Sequence, residues 1–477
     1  MNSINNEKQE GEKTYPFARW VSWLFLVASV LLLIYTYYRA EIVYRGINEI
    51  IYFKYYLISL MGVLFWGGVL RLREGVRANI VTVVITLVIG LYMVEGGLTL
   101  LGPGQSNNPV AVAVAAAELG VEYDQRTKLE VIEDLIAEGV DAVPTVYPAI
   151  LVEDIGTNKK DIGELFPLAG VSNKITIYSN ESGKYLIYKS DRHGFNNPDS
   201  QWNVTTSELE WLLTGDSFTH GAAVQPGQEI SAQIRYITNN TAISLGIGGN
   251  SPLVEYAALV EYGKELSPAK VLWIYFEGND LRGDLSRDKR NPLLMQYMQD
   301  EFSQNLINRQ KEVDSRLRKY FISAQAQAQA LMDRAKWMKL HMIRSVISFD
   351  KIYVDVDVDV DDPLFTKILT KAKAKVDGWG GELYFVYLPE ILRYKDKRVV
   401  SHDDFRRKSE VIDLVKGLKI PVIDIHQEVF SGHADPLSLF PFRLNVHYNA
   451  DGYAEVAKAI VGGVKKHEDQ KIKLKDY

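Results

Sequence analysis

The chain contains no cysteine among its 477 residues. That excludes disulfides, thiolate metal sites and a cysteine nucleophile, and it leaves the compartment open. A strong charge of either sign is also missing. The balance of 54 basic against 60 acidic residues, net −6, provides no global attraction for nucleic acid, which is set aside as a partner. No HExxH, paired histidine or clustered carboxylate spacing occurs, and no glycine-rich phosphate loop. Neither a metal nor another cofactor is therefore expected. The length exceeds what one hydrophobic core organises, so two or three units are expected.

What the chain has in quantity is long apolar runs at its start. Trp20 to Tyr38 is uncharged and aromatic-rich between Arg19 and Arg39, long enough to cross a bilayer core of about 30 Å. The run Ile50 to Leu70 carries Lys54 near its start, where the side chain can snorkel, and a third run spans Ala78 to Val94. No small-residue cleavage site follows the first run, so an anchor is expected rather than a removed signal. Arg71, Arg73 and Arg77 crowd one short loop, and Lys8, Lys13 and Arg19 precede the first run. The positive-inside rule places both in the cytoplasm. The expectation is a multi-pass protein of the inner membrane whose partner is the lipid bilayer. Residues 1–101 supply three transmembrane helices (about 20–38, 50–70 and 78–98), and everything beyond lies on the extracytoplasmic, periplasmic side.

Residues 102–208 read as a linker, LGPGQSNNP, and a mixed lead-in. In it Leu129, Ile132, Leu135 and Ile136 recur at helical spacing before Gly139. From residue 209 to about 470 short apolar strands alternate with Gly-containing loops and helices. The strands are expected at Glu210–Leu213, Ala242–Ile247, Lys270–Phe276, Glu382–Leu388 and Lys419–Ile425. The helices are expected at Ser251–Leu266, Pro363–Val376, Asp403–Leu418 and Ala450–Val464. Such alternation predicts an α/β fold, a parallel sheet covered by helices on both faces, with ligands bound beyond the carboxyl ends of the strands.

Three polar islands fall at such ends: TGDSFTHG (Thr214 to Gly221), FEGND (Phe276 to Asp280) and NVHYNADGY (Asn445 to Tyr453). A serine hydroxyl is a weak nucleophile until a neighbouring base accepts its proton, and histidine suits that task near neutral pH. Ser217 and His447 are the natural pair. A tetrahedral oxyanion needs preorganised donors. The Ser217 amide, Gly249 of LGIGGNSP and the Asn279 side chain fit, Gly246 being the less favoured glycine. Asp216, Gly278 and Asp280 are supporting residues, Asp216 through a hydrogen bond to its own loop.

These blocks resemble the SGNH or GDSL-type hydrolases, named for a serine, glycine, asparagine and histidine in four ordered segments. GDSFTHG is similar to the first block, SLGIGGNS to the second, EGND to the third and HYNADGY to the last. The resemblance spans about Leu209 to Val464. It implies a three-layer α/β/α domain with Ser217 as nucleophile, Gly249 and Asn279 as oxyanion donors and His447 as base. The family usually carries Asp three residues before its histidine, and Leu444 stands there in this chain. Either a backbone carbonyl near Leu444 orients the imidazole or another carboxylate reaches it, Asp435 being the first candidate. Membrane-anchored proteins similar to this one, with a DRHGFNNP-like lead-in, are associated with envelope and exopolysaccharide pathways. That implies acylated glycans, or other external esters, as substrate and polysaccharide-biosynthesis machinery as partner.

The reading is a membrane-anchored extracytoplasmic serine esterase or deacetylase. Its alternatives are an O-acyltransferase to a polysaccharide and an inactive glycan-binding or assembly protein. Other conspicuous residues have plainer readings. His193 and His220 are not required by the chemistry. YVDVDVDVDD (Tyr353 to Asp362) alternates like an edge strand or solvated linker, since a calcium loop needs curvature that it lacks. Residues 291–347 read as a helical insertion over the site.

Overall fold

A computed structural model describes residues 15–43, 49–101, 109–147, 151, 165–205, 208–321, 360–395 and 405–475. The described residues form two compact units, one made of residues before Pro103 and the other of residues from 109 onward.

The first unit is three helices: α1 (Pro16–Tyr37), α2 (Glu49–Val69) and α3 (Glu74–Leu101). Phe25 stacks on Trp66 at 4.8 Å. A side chain at Gly62 would strike the Ser29 hydroxyl at 2.6 Å, so α1 and α2 approach closely there. Arg77 turns its guanidinium onto the carbonyls of Leu70 and Leu72, at 3.0 and 2.7 Å, satisfying acceptors that α2 leaves open at its carboxyl end. Two segments, Pro16–Ile42 and Glu74–Glu95, are long and apolar enough to cross a membrane, with mean hydropathies of 2.1 and 2.0. Among the described residues the candidate spans thus number two rather than the expected three. The middle run is a helix, but Lys54 and the tyrosines at 52, 55 and 56 dilute its hydropathy.

The second unit begins with α4 (Pro109–Glu118) and α5 (Lys128–Ala137). Thr127 and Glu130 close a reciprocal capping box at the start of α5. A small sheet follows, of β1 (Ala142–Pro144), β2 (Ile175–Ile177) and β3 (Ile187–Lys189), with β1 parallel and β3 antiparallel to β2.

The main sheet has five parallel strands: β4 (Trp211–Gly215), β5 (Ala242–Ser244), β6 (Lys270–Phe276), β7 (Glu382–Leu388) and β8 (Val422–Asp424). Their order is β5-β4-β6-β7-β8. Alternate residues serve opposite faces. Leu212, Trp273, Tyr275 and Phe385 enter one buried cluster, and Leu213, Ile274, Phe276 and Val386 enter the other. On the first face lie α7 (Pro252–Ala258), α8 (Pro363–Gly378) and α9 (Lys408–Gly417), and on the second α6 (Ile230–Thr238) and α10 (Ala450–Lys475). Helix α10 buries Tyr453, Val456, Ala457, Ile460 and Val464 on one stripe, each large apolar side chain contributing roughly 1.5–3 kcal/mol. The order reverses between β4 and β6, the crevice where open α/β sheets hold ligands.

The insertion after residue 291 departs from one continuous helix. Short helical turns at Pro292–Met298 and Leu306–Asn308 flank an extended stretch before helix resumes at residues 310–321, and residues 322–359 lie outside the described set. The VDVDVD run falls there too, apart from its end. Asp361 pairs with Arg407, and Asp362 caps α8 and pairs with Lys289. Buried Glu261 accepts from the Tyr297 hydroxyl at 2.6 Å, the Ser303 hydroxyl at 3.0 Å and the Leu306 amide at 2.7 Å, and also from the Gln304 amide. Replacing Glu261 by Ala strands four donors, and a loss of about 3 kcal/mol or more is expected. Denaturant unfolding followed by tryptophan fluorescence measures it, and an unchanged midpoint contradicts the clamp.

Candidate active site

Strand β4 ends in a turn too tight for a side chain. A Cβ at Gly215 would lie 2.1 Å from the Thr219 hydroxyl and 2.8 Å from the Ile274 carbonyl. Ser217–His220 is a single helical turn that closes on Gly221 at φ +88°. The Asp216 carboxylate caps it by accepting the Phe218 amide at 2.9 Å. Ser217 is thereby presented at the crevice, 9% exposed.

His447 lies three residues before α10, whose first turn Asn449 caps through the Gly452 amide at 3.0 Å. The Tyr453 hydroxyl reaches back to the Ala222 carbonyl at 3.0 Å, tying this helix to the serine loop. The imidazole Nε2 lies 2.7 Å from Ser217 Oγ, and Nδ1 lies 2.8 Å from a carboxylate oxygen of Glu181. Glu181 sits on the turn between β2 and β3. That turn is pinned by the Asn180 side chain, which donates to the Asp124 carbonyl at 2.7 Å and accepts the Gly183 amide at 3.0 Å. Asn445, two residues before the histidine, donates to the Glu181 carbonyl. Serine, histidine and glutamate thus form one hydrogen-bonded line drawn from three distant segments.

The carboxylate on His447 is therefore not Asp435, the first candidate from sequence. Asp435 is engaged by Arg443. The Leu444 carbonyl is no orienting group either, since it accepts from Lys395 at 2.9 Å. The physical reason is that the lead-in folds its β2–β3 turn against the histidine segment, bringing a carboxylate from outside the α/β repeat. Glu181 and Asn445 are absent from the sequence-derived set. The lack of a carboxylate at position 444 was the one signal that a partner had to come from elsewhere.

Burial lowers the pKa of His447, but the charge and hydrogen bond of Glu181 and the charge of Asp216 outweigh it and hold the imidazole above its usual 6.5. Burial pushes the Asp216 carboxyl up, against the Phe218 amide and the charge of His447.

Gly249 occupies a turn at φ +73° that a side chain resists. Among the described residues no acceptor engages its amide or that of Ser217. Gly246 is differently employed, with its amide on the Ser244 hydroxyl at 3.2 Å and its carbonyl on His220 at 3.1 Å. The Asn279 amide nitrogen donates to Asp284 at 2.8 Å and also lies against Asp216. A single guanidinium links these parts: Arg287 donates to the Gly249 carbonyl at 2.7 Å, to Asp284 at 2.6 Å and to Asp288 at 2.7 Å. Burial nevertheless pushes Asp284 up to about 7. Asp280 accepts the Phe276 amide at 2.9 Å. Burial, then the charge of Glu255, raises Asp280 well above the usual range, and burial, then the charge of Asp216, raises Glu255 likewise. Gly278 is required by space, a Cβ there lying 2.3 Å from the Phe276 ring.

The two spare histidines are structural. His220 stacks on Tyr178 at 4.6 Å, and burial lowers its pKa to about 4. His193 packs against Trp202 at 4.5 Å and is likewise lowered to about 4 by burial. In the DRHGFNNP segment Asp191 gathers the amides of His193 and Phe195, Asn197 and Trp202. Asn196 then holds the His220 carbonyl at 2.9 Å, so this lead-in clamps the serine loop from behind. No group of carboxylates and histidines fit to hold a metal occurs among the described residues.

No family model matches the chain, and no curated protein matches it either. Among solved structures it is similar to LAE5, an alpha/beta hydrolase from the metagenome of Lake Arreo, Spain. The identity is 13% and the TM-score 0.30, over 54% of this chain and 95% of that one. At that level of superposition the neighbour identifies neither family nor activity.

Only neutral His447 can take a proton from Ser217. Reactivity of the serine toward a fluorophosphonate should therefore rise with pH to a half-maximum above 6.5. In Glu181→Gln the half-maximum should move to lower pH, because the charge that favoured imidazolium is gone. The maximal rate should fall by on the order of 10²–10⁴. Labelling rates measured across pH in both proteins test this, and an unmoved acid limb contradicts the assignment of Glu181.

Proposed function

We propose that this protein is a membrane-anchored serine hydrolase of the SGNH or GDSL type that cleaves acyl esters, its substrates being O-acylated glycans of the cell envelope or of an exopolysaccharide. The observation that carries the reading is the line from Ser217 Oγ to His447 Nε2 at 2.7 Å and from Nδ1 to Glu181 at 2.8 Å. Ser217 attacks the acyl carbon as its proton passes to His447, and Glu181 holds the imidazole in the accepting tautomer and balances the imidazolium. The oxyanion lies against the amides of Ser217 and Gly249, and Asn279 acts as third donor once its amide turns from Asp284 or Asp216. Collapse expels the sugar oxygen, protonated by His447. Water, deprotonated by the same imidazole, then attacks the acyl-serine, releasing the carboxylic acid and restoring the hydroxyl.

A fluorophosphonate should label wild-type protein on Ser217, and Ser217→Ala should abolish labelling and lower ester turnover by about 10⁴-fold or more. A folded wild-type protein that takes no label overturns the reading. Acetate release compared with acetyl transfer to an added oligosaccharide separates hydrolysis from transfer.

The anchor has a proposed orientation. Helix α2, 21 residues long, spans about 30 Å at 1.5 Å per residue and crosses beside α1 and α3. With Arg71, Arg73 and Arg77 on the cytoplasmic side, three crossings bring the catalytic unit to the periplasm. A periplasm-dependent phosphatase reporter fused after Tyr477 should be active. A fusion active only as a cytoplasmic reporter overturns this topology.

A further inference from the structure

The small sheet that delivers Glu181 also builds a wall beside the crevice. Tyr178 and Tyr147 meet edge to face at 5.6 Å, and both press on the loop bearing Gly249. A Cβ at Gly248 would lie 2.4 Å from the Tyr178 hydroxyl and 2.6 Å from the Tyr147 ring, so at this point the wall and the loop are in direct contact. Behind Tyr147, at the first residue of α5, Lys128 holds its ammonium 5.9 Å over the phenol ring. No carboxylate among the described residues pairs with it, whereas most of the inward-turned cations of this unit, Arg235, Lys270, Arg287, Arg393 and Lys408 among them, have acidic partners. Burial alone lowers its pKa, to about 8, with no charged neighbour acting on it. Burial likewise pushes the Tyr147 phenol up to about 12, a contact with Tyr178 offsetting part of the rise and the charge of Glu181 adding to it, so it remains a neutral donor. A half-buried ammonium with no carboxylate partner among the described residues costs free energy that an incoming anion returns.

We infer that Lys128 and Tyr147 form a carboxylate subsite flanking the Ser217 crevice, which takes an acidic sugar of the glycan next to the acylated one. One ammonium and one hydroxyl match a single carboxylate, and a phosphate dianion would need more donors. The subsite rests on the ester reading only for its role. It selects uronate-containing chains over neutral ones, through binding rather than through the chemical step.

The test uses the full-length protein in detergent carrying Ser217→Ala, with trigalacturonate and maltotriose as probes and affinity read by calorimetry. Trigalacturonate should bind more tightly than maltotriose, with an affinity that weakens as salt is added. Adding Lys128→Met should weaken it about ten-fold, Lys128→Arg should restore most of it, and maltotriose should be indifferent to both changes. Equal binding of the two sugars, no binding of trigalacturonate, or an unchanged affinity in a Lys128→Met protein that melts like its parent overturns the subsite. Because turnover is not read, this failure is distinct from failure of the ester reading, which shows as absence of fluorophosphonate labelling at Ser217 in wild-type protein.

Discussion

The hydrogen bond between Glu181 and His447 is the constraint on which the site depends. It joins residues separated by 266 positions and makes the lead-in part of the proposed chemistry. Without it the imidazole has two ring nitrogens and no preferred tautomer, and burial would hold it below its usual pKa. With it, Nε2 faces Ser217 ready to accept, and the imidazolium that forms has a counter-charge. Much of the surrounding structure keeps this line straight. Asn180 pins the turn, Asn445 grips the glutamate's carbonyl, Tyr453 ties α10 to the serine loop, and Asn196 secures that loop from behind.

The opposite side of the crevice is organised by buried charge. Asp216, Glu255, Asp280 and Asp288 are buried and Asp284 is half-buried beside them, with Arg287 as the cation that pairs with Asp284 and Asp288. Several carboxyls in such a setting cannot all ionise. Burial raises Glu255 and Asp280 well above the usual range, and Arg287 pairs with Asp284 and Asp288. The guanidinium fixes the Gly249 peptide directly and Asn279 through Asp284, so one residue sets the spacing of two proposed oxyanion donors. A network of this kind contributes rigidity at the point where the proposed reaction needs fixed dipoles, and its contribution to net stability is small.

Much of the sheet was legible because its strands are short apolar runs buried on both faces. Lys270–Phe276 and Glu382–Leu388 form strands at the expected bounds. The last strand is shorter than Lys419–Ile425 because Lys419 adopts φ +58° and Pro421 has no amide to donate. The second stops at Ser244 since Gly246 is drawn into packing against residues 219 and 220. Ser217 and His447 announce themselves through local motifs, whereas Glu181 lies in an Asn-Glu-Ser-Gly turn of ordinary composition, and its meaning is wholly tertiary. Arg287 and Lys128 were hidden for the same reason, since nothing in sequence tells which cations turn inward or lack a partner. In the membrane unit two of the three apolar runs are long and apolar enough to cross a membrane among the described residues, and Lys54 and its tyrosine neighbours dilute the middle one.

The central claim is that Ser217 becomes acylated with His447 as its base and Glu181 as the orienting carboxylate. It is tested most directly by quenching the protein during turnover of an activated acetyl ester and mapping the acetyl group by peptide mass spectrometry. The account predicts acetyl on Ser217 in the wild-type protein, a much slower build-up in Glu181→Gln, and none in His447→Ala. Turnover that continues with acetyl on another residue, or with undiminished acylation of Ser217 when His447 is replaced, would contradict it.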